Sequence, residues 1–274
     1  MVAKVFSDPT PKAIIKSRIL LRFASEIIPR TDLLEKEQGD VLKVLLLVAR
    51  KMVSVWQHMQ KYKEEEARLI SVVASASPMQ DNTTRLEYSQ ELFSEFDEFL
   101  VQIKSALDHL VKILVPVLGP SRWTIRTFAN KGEDVLKALR RNLPKELQGK
   151  VDGFEKVVFD AHRLWLEDTI TARDKINHFL DGEIPIENFA VFKNGEKITV
   201  PLWSPGQSIS EFMDMAWLNL IHFVENFVAF SLYFKLPSDL ALFHGVVPPD
   251  SPESPWKVTV MDANVHHDPR WNKL

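Results

Sequence analysis

A seam of apolar residues between Thr83 and Leu118 sets the pattern that the other segments follow. Its members recur at alternating spacings of three and four over three heptads: Phe93, Phe96, Leu100, Ile103, Leu107, Leu110 and Leu114. This is the period of an α-helix with one packing face, as in antiparallel helices or coiled coils. Gly119-Pro120 predicts the end of the helix, because glycine can cap a helix and proline cannot continue it. Pro116 is expected to kink the last turn.

The same period predicts helices on both sides of this seam. A first helix is expected from Pro11 to Ile28, and a short second one from Thr31 to Gln38, stopped by Gly39. Further helices are expected over residues 40–75, 133–142, 151–180 and 207–235. The last is densely aromatic, and residues 41–48 are apolar on nearly every side, which is typical of helices buried in a core.

Before the last helix the period changes from helical to alternating. Residues 189–193 and 196–200 flank Asn194-Gly195, and Asn-Gly suits the positive φ angles of a type I′ turn. After Pro237 the chain is rich in proline and polar residues, which predicts an irregular tail with a strand at 256–261. The expected fold is all-α: a helical bundle of four or five long helices, with a β-hairpin inserted before the last long helix. Residues 1–236 are expected to form this domain and 237–274 the tail.

Composition narrows the chemistry that the chain can carry. Its 274 residues, 45% hydrophobic and 26% charged, are those of an ordinary soluble globular protein. The absence of cysteine excludes disulfides, thiolate metal sites and cysteine nucleophiles. Charged residues interrupt the apolar run near the N-terminus, and no uncharged stretch of about 20 residues is found elsewhere, so neither a signal peptide nor a membrane span is expected. A cytoplasmic protein is the expectation.

Charge is distributed unevenly along the sequence. The net charge is −3, which argues against a protein coated in positive charge for nucleic acid. Residues 121–150 nevertheless hold eight basic side chains against three acidic ones. On charge alone the meaning of this surplus stays open.

Several polar clusters are better explained as structure than as chemistry. His266-His267-Asp268 lacks a matched second pair of metal ligands. His222 and Glu225 lie one turn apart, but the chain has no Glu-x-x-His pair of the di-iron type, so a hydrogen-bonded core histidine is expected. Asp108-His109 is expected to be solvated or to join helices. No glycine-rich phosphate loop or nucleophile elbow occurs. No metal or cofactor is predicted.

Residues 171–179 concentrate the remaining chemistry. Because each residue of a helix turns about 100°, Asp174 and His178 lie about 160° away from Ile176, a member of the apolar line, and share one face. Side chains four residues apart on a helix are neighbours. The carboxylate can then orient the imidazole and favour its protonated form.

Arg173 and Asn177 form a second pair of this spacing on the adjoining flank. Arg173 lies about 140° from His178, so the two converge on one ligand only if the helix end distorts or a second protomer brings its own copy alongside. From spacing alone, an exposed, salt-bridged helix end is the favoured interpretation.

The sequence Arg173-Asp174-Lys175-Ile176-Asn177-His178 resembles the R-x4–6-H motif of the HEPN superfamily, including the polar residue directly after the arginine. The segments 95–100 and 104–110 resemble an earlier core helix of HEPN-like bundles. A hairpin followed by a final long helix is also similar to some members. The resemblance is strongest over residues 83–235, and it implies a helical bundle, usually a dimer, whose two motifs meet in a cleft.

Many HEPN proteins are metal-independent endoribonucleases of toxin–antitoxin and phage-defence systems. The resemblance implies that His178 acts as base or acid and that Arg173 clamps the phosphate. Asp174 would orient His178, and Asn177 would bind a phosphate or hold the arginine. The basic segment would contact the RNA backbone through Arg122, Arg126, Lys137, Arg140 and Arg141. The implied partners are RNA, a second copy of the chain and a protein such as an antitoxin.

Other HEPN-like proteins bind without catalysing, so two alternatives stay open. One is a non-catalytic helical interaction protein whose tail and aromatic helix bind a protein partner. The other is a protein with a small-ligand pocket among Trp217, Phe223 and Phe227. The sequence identifies neither an RNA substrate nor a pathway.

Overall fold

The structure is a computed structural model that describes residues 15–76, 83–85, 89–178, 189–244 and 258–263. Of its interpretable residues 75% are helical, and the strands form a few short β-hairpins. The helical character predicted from the apolar period is therefore confirmed. A hairpin also precedes the last long helix, as expected.

Seven α-helices lie in the described part of the chain: α1 Glu35–Ser75, α2 Gln90–Leu110, α3 Leu114–Leu118, α4 Glu133–Asn142, α5 Gln148–Phe154, α6 Arg163–His178 and α7 Ile209–Tyr233. Wider π-helical turns cover Ile15–Leu21, Phe23–Ile27 and Glu155–Phe159. Tighter 3-10 turns cover Ile28–Arg30, Val111–Ile113, Asn130–Gly132, Lys145–Leu147 and Asp160–His162.

The described strands form three antiparallel sheets. A three-stranded sheet consists of β1 Thr83–Arg85, β2 Phe192–Asn194 and β3 Lys197–Thr199, with β2 in the centre. A small pair joins β4 Leu202–Ser204 to β5 Gln207–Ser208. The third pair joins β6 Leu240–His244 to β7 Val258–Asp262.

Two strand predictions differ from the structure in detail. Asn194 pairs with Lys197, so the hairpin turn is Gly195-Glu196, one residue later than predicted. Gly195 supplies the positive φ angle, 60°, at the first turn position, where type II′ turns place glycine. The strand expected at 256–261 is present as β7, and its partner β6 was not predicted. The rest of the tail, residues 245–257 and 264–274, lies outside the described residues.

Helix ends follow local sequence signals more closely than helix interiors do. The bounds of α4 are those predicted, because Gly132 precedes it with a φ of 90° and Leu143, before Pro144, is extended. Gly119 ends α3, as predicted. The predicted break at Gly39 is wrong, since α1 runs through it; one glycine costs a helix only about 1 kcal/mol.

The predicted helices over 83–118 and 151–180 change type along their length. The helix expected over 83–118 narrows to a 3-10 turn at Val111–Ile113, one turn before Pro116. Proline has no backbone N–H, so Pro116 cannot donate the usual helical hydrogen bond to the carbonyl of Lys112. The helix expected over 151–180 passes through a π turn and a 3-10 turn before α6 begins at Arg163. Residues 179–188 lie outside the described residues.

The chain divides into two compact units, unit 1 with residues 1–53, 105–163 and 221–274, and unit 2 with 54–104 and 164–220. The core of unit 1 is an aromatic cluster, in which Phe223 contacts the rings of Phe128, Phe159 and Phe227. The connector, residues 119–132 between α3 and α4, is fixed to α2, because the Asp108 carboxylate accepts the N–H of Phe128 at 2.6 Å.

Unit 1 also contains a fully buried carboxylate, Glu225 on α7. It accepts hydrogen bonds from Arg18 and from Arg22, the latter at 3.0 Å. Both arginines lie in the π-helical N-terminal segment, and burial lowers the pKa of Arg22 against the opposing effect of Glu225. A buried charge of this kind persists only when it is paired.

Unit 2 has an aromatic core of its own. Phe96 on α2 contacts Phe189, Trp203 and Phe212, and the last two rings stack at 4.1 Å. The N–H of Ser89 donates to the carbonyl of Phe189 at 2.7 Å, which joins the start of α2 to the chain before β2.

By length and composition α7 is apolar enough to cross a membrane, with a mean hydropathy of 1.3, although the sequence reading expected no span. In the structure 72% of that stretch is buried inside the protein. The core helix of a soluble protein passes the same test, so this finding does not indicate where the protein is located.

Gly132 provides a stability prediction. A Cβ at this position would lie 2.1 Å from a ring carbon of Phe159 and 2.8 Å from one of Phe128, and its φ of 90° disfavours any other residue. We expect Gly132→Ala to lower the free energy of unfolding by about 3 kcal/mol, from overpacking together with the left-handed backbone. Chemical denaturation measures this loss.

Gly149 is the matched control. It lies in α5, has nothing within 4 Å of an added Cβ, and has a negative φ angle. Gly149→Ala should leave stability unchanged or raise it by about 0.5–1 kcal/mol. Equal effects of the two substitutions would contradict the packing argument.

Candidate functional site

The candidate motif lies on the last turns of α6, in unit 2. Along the predicted apolar line, Trp165, Thr169 and Ala172 are buried, whereas Ile176 is half-buried and Ala161 is exposed. Arg173 and Asp174 lie beside that line with side-chain exposures of 29% and 43%. Both side chains therefore reach solvent at the end of the helix.

Arg173 and Asp174 form an ion pair with each other. The guanidinium Nη1 of Arg173 donates to Oδ1 of Asp174 at 2.9 Å. The sequence reading instead predicted Asp174 with His178 and Arg173 with Asn177. The side chains of Asn177 and His178 lie outside the described residues, so those two pairs stay predictions. The observed pair balances part of the positive charge that a phosphate would meet at Arg173.

The basic segment of unit 1, residues 121–150, has several exposed cations, and they differ in whether a carboxylate already pairs with them. Arg122, Arg126, Lys137 and Arg141 are exposed. Arg140 is exposed as well, but it donates to Asp152 at 3.1 Å and also to Glu155. Glu155 and then Asp152 raise the pKa of Arg140 above its ordinary value. Its charge is therefore already balanced within the protein.

The polar clusters that the sequence reading set aside have structural roles where they are described. Asp108 holds the connector through Phe128, and His109 lies 3.3 Å from the Lys112 ammonium. Glu225 binds Arg18 and Arg22. His222 is half-buried, whereas His162 is buried.

His162 was not singled out from the sequence. Its Nε2 lies 3.5 Å from the Asn226 amide nitrogen, and its ring meets Phe223 edge-on. Phe223 and Phe227 are fully buried among other rings, as core residues are. Within the described residues no group of three histidine, aspartate or glutamate side chains could hold a metal. His266-His267-Asp268 lies outside them.

A buried polar cluster in unit 2 was also missed. Glu66 on α1 accepts a hydrogen bond from the Ser210 hydroxyl at 2.6 Å, while its other oxygen is buried without a partner among the described residues. The Tyr62 hydroxyl, one turn earlier, is buried in the same way. The i, i+4 spacing of Tyr62 and Glu66 was visible, but it lies in the charged run 61–66, which reads as a solvated face.

Burial determines the acid–base behaviour of this cluster. Burial raises the pKa of Glu66, against the hydrogen bond from Ser210 and the charge of Lys63. Burial, and then the charge of Glu66, raise the pKa of Tyr62. Near neutral pH both groups therefore favour their uncharged forms more than they would in water.

Comparison with protein-family models, with curated proteins and with solved structures gave no match. The HEPN resemblance consequently depends on the residues quoted for it in this chain. Any function has to be argued from the side chains of the two units.

The raised pKa of Glu66 predicts how stability depends on pH. The folded protein holds the Glu66 proton at pH values where the unfolded chain has lost it, so folding stability falls as pH rises from the ordinary carboxyl range toward the folded pKa. Glu66→Gln removes this loss. The variant should unfold at higher denaturant concentration than the parent at pH 7.5, with little difference at pH 4.

Glu64→Gln is the control for this measurement, because Glu64 is exposed on the same helix. It should leave the pH dependence of unfolding unchanged. If Glu66→Gln gave the same pH profile as the parent protein, the buried carboxyl would not be the cause.

Proposed function

We propose that this chain is a HEPN-like protein that binds RNA and cleaves it without a metal ion, as a homodimer in the cytoplasm. The proposal includes a bundle of four or five long helices. Four long helices, α1, α2, α6 and α7, support it. By resemblance, the biological setting is a toxin–antitoxin or phage-defence system.

The observation that carries the proposal is the position of Arg173 and Asp174 on the last turns of α6. An arginine of the motif has to reach solvent in order to meet a phosphate, and this side chain is 29% exposed. His178 is the last residue of the same helix. The basic and titratable groups of the motif are thus carried by one rigid element.

The chemistry requires a base, an acid and positive charge on the phosphorane. The RNA 2′-oxygen attacks its own phosphorus, the bond from phosphorus to the 5′-oxygen breaks, and a 2′,3′-cyclic phosphate remains. His178 removes the 2′-hydroxyl proton or supplies the proton for the 5′-oxygen, since imidazole titrates near neutral pH. Arg173 binds the phosphoryl oxygens through its parallel N–H groups.

The ion pair gives Asp174 a role different from the one implied by the motif. A carboxylate 2.9 Å from Nη1 fixes the orientation of the guanidinium before RNA arrives. Asp174 therefore positions Arg173. Asp174 is also proposed to orient His178, because side chains four residues apart on a helix are neighbours.

The spacing of the motif on a helix supports a homodimer. Positions 173 and 178 of a regular helix are about 140° apart, so the two side chains of one copy converge on one ligand only if the helix end distorts. A second copy of α6 alongside the first would place an arginine of one protomer next to a histidine of the other. Asn177 would then bind a phosphate or hold the arginine.

The exposed basic residues of unit 1 are proposed to bind the RNA backbone. Arg122, Arg126, Lys137 and Arg141 keep their charge available at the surface, whereas Arg140 is balanced by Asp152 and Glu155. Contacts of this type depend on phosphate and not on base sequence.

A non-catalytic interaction protein is the second candidate. Exposed leucines favour it: Leu34, just before α1, is 71% exposed, and Leu46 and Leu47, further along that helix, are 53% and 41% exposed. Apolar side chains at the surface can serve as the centre of a protein interface. A stable protein complex, together with no RNA affinity that varies with salt, would select this candidate.

Cleavage in the presence of EDTA tests the catalytic proposal. Purified protein should cut structured RNA and leave 2′,3′-cyclic phosphate ends. His178→Ala should slow cutting about 10²- to 10⁴-fold, the usual contribution of a general acid or base. Gel analysis of end-labelled RNA gives the rate and the end chemistry.

Arg163→Gln is the control, because Arg163 is exposed at the other end of α6 and pairs with Asp160. It should cut RNA at the parental rate. Equal cutting by His178→Ala and the parent would refute the assignment.

The salt dependence of RNA binding tests the basic segment. The double substitution Arg122→Gln, Arg141→Gln should weaken RNA binding for every sequence and reduce the slope of log K against log salt by roughly one per lost phosphate contact. Arg140→Gln should change the slope less, because Asp152 and Glu155 already balance it. An equal effect of Arg140→Gln would contradict this distinction.

A further inference from the structure

Unit 1 contains a cavity of about 520 Å³ that neither the motif nor the aromatic cluster uses. Its walls come from the first turns of α1, from the 3-10 turn and α3 that follow α2, and from the connector. This volume is within the range of small-molecule sites, roughly 300–1,000 Å³. The cavity is therefore large enough for a small organic ligand.

The charged lining of this cavity has a positive surplus. The basic residues are Lys36, Lys43, Lys112 and Arg126, and the acidic ones are Glu37 and Asp40. Four cations against two carboxylates leave a net charge of two positive units, in a protein whose net charge is −3. The cavity thus differs in sign from the chain as a whole.

Both carboxylates are already engaged within the protein. Glu37 accepts the N–H of Leu34 at 2.8 Å, and Asp40 accepts from the Lys43 ammonium at 2.8 Å. The bond to Lys43 lowers the pKa of Asp40, and the charge of Lys36 adds to the effect. Lys36 and Arg126 are exposed at the surface, which leaves them able to turn toward a ligand.

The lowered pKa of His109, which contacts Lys112 in the cavity wall, is consistent with positive surroundings. His109 Nδ1 lies 3.3 Å from the Lys112 ammonium. Burial is the main cause that lowers the pKa of His109, followed by the charges of Lys112 and Lys51, while Asp108 opposes them. The imidazole is therefore held neutral and adds no charge to the cavity.

The remaining walls are apolar. Val44, Val115, Pro116 and Pro120 line the cavity, and Leu34 stands at its edge with 71% of its surface exposed. Apolar walls with a few convergent cations suit a ligand that has an apolar body and an anionic group. Inorganic anions alone would leave these walls in contact with water.

We propose that this cavity binds an organic phosphate monoester, with the phosphate on Lys36 and Arg126 and the apolar body against Val44 and the two prolines. A phosphate monoester carries about −1.5 to −2 charges at pH 7, which matches the surplus of the lining. Arginine binds phosphate oxygens in pairs, and lysine binds them as a point charge. The inference does not depend on RNA cleavage by His178.

Isothermal titration of the whole protein with phenyl phosphate at low salt tests the site. Phenyl phosphate should bind at least tenfold more tightly than inorganic phosphate, which lacks the body, and than benzoate, which carries one charge. The double substitution Lys36→Gln, Arg126→Gln should weaken binding at least tenfold. Val44→Phe, which narrows the cavity, should weaken it without a change in charge.

Arg50→Gln is the matched control, because Arg50 is exposed on α1 and does not line the cavity. It should bind phenyl phosphate as the parent does, and melting temperatures should show that all variants are folded. Adenosine 5′-monophosphate and a 5′-phosphorylated oligonucleotide, compared in the same titration, distinguish a free metabolite from an RNA end. No binding by the parent, or equal binding by the double variant, overturns the proposal. Equal affinity for phenyl phosphate and inorganic phosphate does so as well.

Discussion

The carboxylate of Glu225 is the constraint that organises unit 1. It lies with no exposed surface on a helix whose other side chains are mostly apolar, where an unpaired charge would cost several kcal/mol. Arg18 and Arg22 satisfy it, and both come from the N-terminal segment. That segment lies outside residues 83–235, on which the proposed HEPN-like assignment depends. In this structure it is nevertheless a component of the core, held by ion pairs as well as by buried Ile19 and Phe23.

The candidate surfaces are distinguished by whether their charges are already balanced. Arg173 meets a carboxylate at 2.9 Å, and Arg140 meets two. Arg122, Arg126 and Lys137 are exposed at the surface. A list of basic residues from the sequence treats all of these alike. The structure separates Arg140, whose charge two carboxylates balance, from exposed cations that can meet an anion, while Arg173 is balanced in part and keeps 29% of its side chain exposed.

Local signals allowed much of the fold to be predicted, because capping and periodicity act over a few residues. The bounds of α4, the glycine that ends α3 and the hairpin before α7 were all accessible in this way. The change of helix type near Pro116 was anticipated only as a kink. The π-helical turns at 155–159 were not anticipated, since no simple residue pattern encodes them.

Contacts between distant segments could not be predicted from the sequence. Glu225 and its arginines are more than 200 residues apart, and β1 pairs with a strand more than 100 residues later. Glu66 lies in the charged run 61–66, and Ser210, its partner, lies 144 positions away. The Arg173–Asp174 pair joins adjacent residues, but periodicity favours partners four residues apart and gave no sign of it.

The composition of unit 1 from three separate stretches bears on the order in which the protein folds during synthesis. Its N-terminal arginines leave the ribosome long before Glu225, and Arg30 donates to the carbonyl of Val260, later still. Chains emerge at about 5–20 residues per second, so the first segment waits for its partners with apolar surface uncovered. This half of the protein can complete its core only after residues 225 and 260 have been made. A nascent chain halted before residue 225 would expose that surface to chaperones and to other nascent chains.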